Sequence, residues 1–375
     1  MSFAQIEDPF FIPIRELKEG ESLPIHTSDR IAFKRCRRKW ALSSPTRLHL
    51  GALGEPSIHL WFGSGFHFAM EDFHGYNRYG DPKLAFRAYY YATRRNHPAD
   101  ARATLDLADG MFNHYLLWLQ RRPLFRTVWM EGRPLVEVEW AVPIIDGVEV
   151  RGTFDRIVQD KYDRYWILDY KTASRFNTSK LDQDTQVSAY CWAFEQLYGI
   201  VPEGMVYMQF LKDYPVPPVE LQDGTLSCNA KQKTTYDLYK QALLEKYGST
   251  SRKVIPAKNY LFARKLFEME LPEGNRFIRW DLVRRNSYQV FNEHRKLMWE
   301  VAEMLNPQLP LFNNPTRDCS WDCDFNAVCI AMDDGGDWKS ILEHAYAPRK
   351  ELHPWRKDLP TPTELRRLLD PDQHS

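Results

Sequence analysis

Asp155, Asp169 and Lys171, followed by Gln186 and Tyr190, are the residues of this chain whose types and spacing could do chemistry together. Val148 to Val158 reads as one β-strand and Tyr165 to Lys171 as the next, with the polar stretch 159–164 joining them as a hairpin. Asp169 ends an apolar strand, and Lys171 points to the same side because strand side chains alternate with period two. Two carboxylates and an ammonium then converge where adjacent strands open. Such a cluster suits a divalent metal that holds a phosphate and activates a water. Asp-x-Lys is common on its own, and the charged end of any strand looks the same. The context carries the weight.

That context is an ordered set of motifs. Gly63-Ser64-Gly65-Phe66-His67 precedes Gly152-Thr153-Phe154-Asp155, then Asp169-Tyr170-Lys171, then Gln186-Val187-Ser188-Ala189-Tyr190. In this order they resemble the PD-(D/E)XK nuclease superfamily in its RecB-like, iron–sulfur form, to which RecB and AddB nuclease domains and CRISPR-associated exonucleases are similar. The resemblance runs from about Ser28 to Cys329. It implies an α/β fold: a restriction-endonuclease-like core with a mixed central sheet flanked by helices, helical additions and a cysteine-ligated cluster region. It also implies Mg²⁺ or Mn²⁺ held by His67, Asp155, Asp169 and the carbonyl of Tyr170, a set whose histidine tilts it towards Mn²⁺. Lys171 would orient the attacking water and offset charge on the phosphate. Gln186 and Tyr190, one helical turn apart, would hold the site or touch the strand. Without the resemblance His67 reads as a core histidine, Tyr190 as core and Glu71 as a solvated or neighbouring carboxylate. Glu137 and Glu139 alternate on the preceding strand, and nothing in the sequence chooses which of them reaches the metal.

The cysteines argue independently. Cys319, Cys323 and Cys329 form a tight knot that lacks one ligand for a tetrathiolate site, and Cys36 can supply it. The resembling nucleases hold a 4Fe–4S cluster with one cysteine before the core and three after it, although their first spacing among the three is one residue shorter. Chemistry alone leaves Zn²⁺ open at four thiolates, and the resemblance favours iron–sulfur. A disulfide framework is not expected in a chain of this size with no leader-like opening. Such a site is expected to staple the two flanks of the chain, with Trp321 and Phe325 shielding it. Cys191 reads as buried packing, and Cys228 carries no readable role.

The 375 residues include 50 basic and 50 acidic side chains, so the balance itself does not advertise a polyanionic partner. Charge is uneven, however: Lys34-Arg35-Cys36-Arg37-Arg38-Lys39 is one basic block, and Arg279, Arg284 and Arg285 a second. Either block could face phosphates or be a solvated face. No apolar run is long enough for a membrane span. The chain divides into an N-terminal arm and cysteine-bearing helix (1–56), a nuclease core (57–214), an insertion (215–275), a C-terminal helix with the cysteine knot (276–335) and a peripheral tail (336–375). Ser28 is expected to cap a helix running through Cys36 to Trp40. The resemblance implies a DNA exonuclease acting on ends or single strands in recombination, repair or replication, cytoplasmic in a bacterium or a phage-infected host. A spacer-trimming nuclease of CRISPR adaptation, a DNA-binding module without catalysis and a zinc-stapled scaffold are the alternatives.

Overall fold

Val148–Gln159 is the strand on which the sheet is assembled. The computed structural model describes residues 3, 6–54, 57–122, 125–179, 181–270, 274–349 and 353–370. Along one edge of this strand lie Val136–Ile145 and the short Arg126–Thr127, both antiparallel. Along the other edge two strands arrive from different parts of the chain. Leu23–His26 pairs in parallel with residues 148–151, and Tyr165–Ala173 pairs antiparallel with residues 156–159. Between those two ladders, Gly152 to Asp155 have no strand partner on that edge among the described residues. The sheet then continues from Tyr165–Ala173 to the parallel Gly204–Leu211 and ends on the antiparallel Ile278–Arg284.

Helices cover both faces, as a largely apolar, partly parallel sheet requires. On Tyr165–Ala173, Trp166, Leu168 and Tyr170 enter the core shared with helices Ile58–His74, Pro82–Ala92 and Leu105–Arg121, whereas Ile167 enters the opposite core. That second core is built on the helix Thr185–Tyr198, which Asp184 caps at its start and Gly199 ends with a φ of 65°. The parity of Ile167 is also that of Asp169 and Lys171, so both aim at the Thr185–Tyr198 layer. Two close approaches require glycine. A Cβ on Gly65 would meet the Tyr89 ring at 2.6 Å, and one on Gly152 would meet Trp140 at 2.4 Å.

The segments on either side of the core are bound into it more tightly than the sequence reading proposed. The arm ends in a strand of the main sheet and buries Ile6 and Ile12. The expected helix through Cys36 is two, Thr27–Arg35 and Arg37–Ser43, broken at Cys36, where the backbone is extended. The break follows from the cysteine side chain, which accepts the Lys39 N–H and so acts as the cap of the second helix. Residues beyond 336 are not peripheral: Tyr346–Pro348 pairs with Leu50–Ala52, and Trp355 packs edge-on against Phe68 and Tyr89. Ile278–Arg284, in the proposed segment 276–335, is a strand the sequence reading did not include, so the sheet draws on three of the proposed segments. Residues 215–270 do enclose a small core of their own around Leu226, Tyr239, Leu243, Ile255 and Phe262.

Two buried polar contacts fix how these parts meet. Arg30 of the first helix is inaccessible and lies 2.6 Å from Glu293 and 2.5 Å from Glu300 on the helix Ser287–Met304. Asn275 accepts the N–H groups of Phe277 and Ile278 through Oδ1, which leaves its Nδ2 facing His114 Nε2 at 2.9 Å. His114 therefore accepts there and must be neutral, and burial pushes its pKa down to about 4.

Replacing Arg30 by Ala leaves Glu293 buried without its partner and is expected to lower unfolding stability by about 3–5 kcal/mol in urea titrations. The unfolded chain binds a proton at His114 below about pH 6.5, whereas the folded chain resists it down to about pH 4. Stability should therefore fall as pH drops through that window, by about 2 kcal/mol from this group between pH 7 and pH 5. His114→Gln is expected to flatten that part of the pH profile, and an unchanged slope would remove His114 as its source.

Candidate metal and active site

The gap in the ladder opposite Gly152–Asp155 opens into a cleft of about 510 Å³. Asp155, Asp169 and Lys171 line it from the two diverging strands, Gln186 and Tyr190 from the helix Thr185–Tyr198, and Thr27 and Ser28 from the first turn of the helix Thr27–Arg35. Where the strands part, the Asp155 carboxylate takes the place of a backbone acceptor: its Oδ2 accepts the Tyr170 N–H at 2.7 Å. Side-chain alternation slips by one at this point, since Phe154 and Ile157 face the same core while Val158 faces the other. On the neighbouring strand Glu137 stands between the rungs Val138–Phe154 and Val136–Arg156 with a φ of 46°. A non-glycine residue held there is strained, and strain of this kind gathers at functional sites.

His67 reaches this point from the opposite layer. Its Nδ1 lies 3.4 Å from Asp155 Oδ2 and 3.4 Å from Glu137 Oε1. One ligand atom from each of His67, Glu137 and Asp155 fits within 4.8 Å of the others, the one such group among the described residues. Burial opposes the charged imidazolium, but the Asp155 and Glu137 carboxylates more than reverse it and push the His67 pKa up to about 9. Burial raises the pKa values of Asp155 and Asp169 above the ordinary carboxylate range, against the pull of His67 and Lys171.

Asp169 is nearly inaccessible and holds Lys171. The ammonium lies 2.9 Å from both carboxylate oxygens, but only the contact to Oδ1 has hydrogen-bond geometry, and Gln186 Nε2 donates to the same oxygen at 3.4 Å. Oδ2 is thus a buried carboxylate oxygen without a hydrogen bond. Burial works against the Lys171 charge, and the two aspartates overcome it, holding its pKa above the usual lysine range. The carboxylates of Glu137 and Asp155 and the His67 imidazole form a donor set that fits a hard divalent ion, and Asp169, paired with Lys171, lies outside that three-residue group.

The other residues singled out in the sequence fall in different places. The Tyr170 ring turns to the helical layer, where its hydroxyl accepts from the buried Arg156 at 3.3 Å and its face stacks on His74. Tyr190 is a wall of the cleft, packed edge-on against Trp140 and Phe154, and burial pushes its pKa up to about 12. Glu71 is not available as a ligand, because both its oxygens accept from Arg356, at 2.9 and 2.6 Å. That contact fixes the His67 helix from the C-terminal segment, and no local pattern could have revealed it. Glu139 lines the cleft but is not in the three-residue group.

Both basic blocks are largely engaged within the chain. Arg279 is held by Asp281, Arg284 by Glu203, and Arg285 is buried on Ser188 and three carbonyls. In the first block Lys34, Arg35, Arg37 and Arg38 pair with Glu300, Asp322, Glu303 and Asp333, which ties the N-terminal helices to the C-terminal segment.

Cys36, Cys319, Cys323 and Cys329, all free thiols, line a second cavity of about 190 Å³. Each sulfur accepts an N–H: Cys36 from Lys39 at 3.4 Å, Cys319 from Thr316 at 3.3 Å, Cys329 from the Arg38 guanidinium at 3.5 Å and Cys323 from Phe325. The Thr316 N–H lowers the Cys319 pKa. Phe325 is buried and stacks on Tyr346, whereas Trp321 points into solvent and shields nothing. Cys191 is buried in the Thr185–Tyr198 helix, and Cys228 faces the Tyr239 hydroxyl in the small 215–270 core.

No described helix is long and apolar enough to cross a membrane. No curated protein matches the chain. Among solved structures, one described as "Crystal structure of SSO0001" is similar at 11% identity and a TM-score of 0.31, over 84% of this chain and 89% of that one, which is too distant to carry an argument. Residues 28–330 match the family model of the PD-(D/E)XK nuclease superfamily, a span that takes in the ladder gap, the acidic cluster and all four cysteines. With its mixed sheet flanked by helices, the chain belongs to the PD-(D/E)XK nuclease superfamily of metal-dependent nucleases.

Proposed function

We propose that this nuclease is a DNA exonuclease of the RecB-like kind, acting on ends or single strands in recombination, repair or replication. The observation that carries the reading is the convergence of His67, Asp155, Asp169 and Lys171 where the two ladders on Val148–Gln159 stop short of each other. His67, Asp155 and Asp169, with the Tyr170 carbonyl, would hold Mg²⁺ or Mn²⁺, and Glu137 stands beside them as a further ligand. Held by these residues, such an ion would supply Lewis-acid chemistry, activating a water and polarising a phosphoryl oxygen. Lys171 orients that water and offsets charge that builds on the phosphate, and the carboxylate of Asp169 holds the ammonium in place. Gln186 fixes Asp169 from the helix, and Tyr190 walls the cleft. A cleft of about 510 Å³ has room for a nucleotide-sized piece of chain, which supports ends and single strands.

At the four cysteines, which line one cavity, the resemblance favours a 4Fe–4S cluster over zinc. The N–H donors that surround all four are what deprotonated sulfur ligands need. The work of the cluster is to join the break at Cys36 to the C-terminal knot.

End-labelled single- and double-stranded DNA, incubated with Mn²⁺, Mg²⁺ or EDTA, should be shortened only with metal. Lys171→Ala and Asp169→Ala are each expected to slow this by about a hundredfold or more. No cleavage by folded, metal-loaded wild type would leave DNA binding without catalysis. Protein purified without oxygen should contain iron and acid-labile sulfide in equal amounts, and Cys36→Ser should lose both and melt at lower temperature. Zinc without sulfide would replace the iron–sulfur assignment.

A further inference from the structure

The helical hairpin of the insertion carries more basic than acidic side chains. From Tyr236 to Met269 there are seven basic residues and three acidic ones, in a chain where the two kinds are equal in number. These residues belong to a helical hairpin, Tyr236–Tyr247 and Ala257–Met269. Lys246 and Lys258 pair with Glu220 and Asp223, and Arg264 pairs with Glu268 one turn on, an exposed contact of little energetic weight. Arg252, Lys253 and Lys265 are exposed and have no carboxylate partner among the described residues.

One side of the hairpin closes on the small core around Tyr239 and Leu243. Beside that core, and sharing Leu243 with it, lies an open groove of about 270 Å³ walled by Tyr236, Tyr260 and Phe267, with the exposed Lys240 and Arg264 beside them. Tyr236 and Phe267 meet edge to face at 5.1 Å, and Phe267 is 40% exposed. Flat aromatic faces interleaved with cations are what successive bases and phosphates of an unpaired strand require. In a duplex the bases stack on each other and cannot enter a groove of this size.

The hairpin is rooted on the end of the helix Leu105–Arg121. Arg121 bridges Asp237 and Glu270 at 2.6 and 2.8 Å and stacks over Tyr236 at 4.9 Å. The chain leaves the sheet after Leu211 and returns at Ile278, next to Phe210. Leu211 is in register with Ala173, two residues beyond Lys171 on the same strand. The hairpin therefore grows from the end of the sheet at which the lysine stands.

We propose that the hairpin 236–269 is a docking surface for single-stranded nucleic acid, taking an unstacked base against Tyr260 and Phe267 and the flanking phosphates on Lys240 and Arg264. It deepens the nuclease reading, and rests on it for the identity of the strand, by giving the substrate a second point of contact outside the cleft. The two are separable because binding is read with no metal and no cleavage.

The test is fluorescence anisotropy of the full chain with labelled oligothymidylate in EDTA over a range of salt. Tyr260→Ala is expected to weaken binding roughly tenfold, as loss of one stacked base does. Lys240→Gln with Arg264→Gln should reduce the slope of log Kd against log salt by about 1.4. Both variants should cleave a short oligonucleotide in Mn²⁺ at the wild-type rate, which a damaged cleft would not allow. Phe267→Ala, at an exposed position, gives the same binding readout if Tyr260→Ala lowers the Tm. Wild-type affinity and salt slope in folded variants would overturn the proposal. So would duplex bound as tightly as single strand, or polyglutamate competing as well as DNA.

Discussion

A β-strand edge must have its N–H and C=O groups paired, and the second edge of Val148–Gln159 is shared between two strands that do not meet. Leu23–His26 runs parallel to the first part and Tyr165–Ala173 antiparallel to the last, so neither can extend into the territory of the other. The four residues between them are where the sheet opens. Asp155 serves the break by accepting the Tyr170 N–H through its carboxylate, which also fixes that carboxylate at the mouth of the cleft. The position of nearly every other group in the site follows from this one interruption. Asp169 and Lys171 lie just past the last rung, Glu137 sits strained across from Asp155, and the first turn of the helix after Leu23–His26 supplies the far wall.

Bringing Glu137, Asp155 and Asp169 together out of water is unfavourable, and the structure offsets it with two cations of different origin. Lys171 comes from the same strand as Asp169. His67 comes from another layer, and its position depends on contacts remote from the site: Gly65 lets its helix lie against Tyr89, and Arg356 grips Glu71 one turn away. The carboxylates they face raise the pKa of both, and an ion bound at His67 would take the place of its proton. The cluster is therefore preorganised as a charged unit, with one oxygen of Asp169 lacking a hydrogen bond.

The flanks serve the same end. The N-terminal helices approach the sheet only because Leu23–His26 is part of it, and they are tied to the C-terminal segment by Arg30, by the ion pairs of the first basic block and by the cysteine cavity. A block that looks like a phosphate patch in sequence is an internal clamp in the structure. Its cations are used up by Glu300, Glu303, Asp322 and Asp333, residues that lie far from it in the chain.

Local pattern alone was enough to place strands at 148–158 and 165–171, the polar turn between them and the helix carrying Gln186 and Tyr190. Alternation, turn chemistry and capping are local and act over a few residues. Period two also put Asp169 and Lys171 on one side. Only the folded chain shows that Glu137 rather than Glu139 stands beside His67, that Glu71 is held by Arg356, and that Lys34, Arg35, Arg37 and Arg38 pair with acids of the C-terminal segment. It also decided that Leu23–His26, Ile278–Arg284 and the segment beyond 336 belong to the main fold. Each of these depends on a partner tens to hundreds of residues away, and sequence periodicity carries no information about such distances. The ladder gap itself is of this kind, because it exists only where strands from two distant segments stop short of each other.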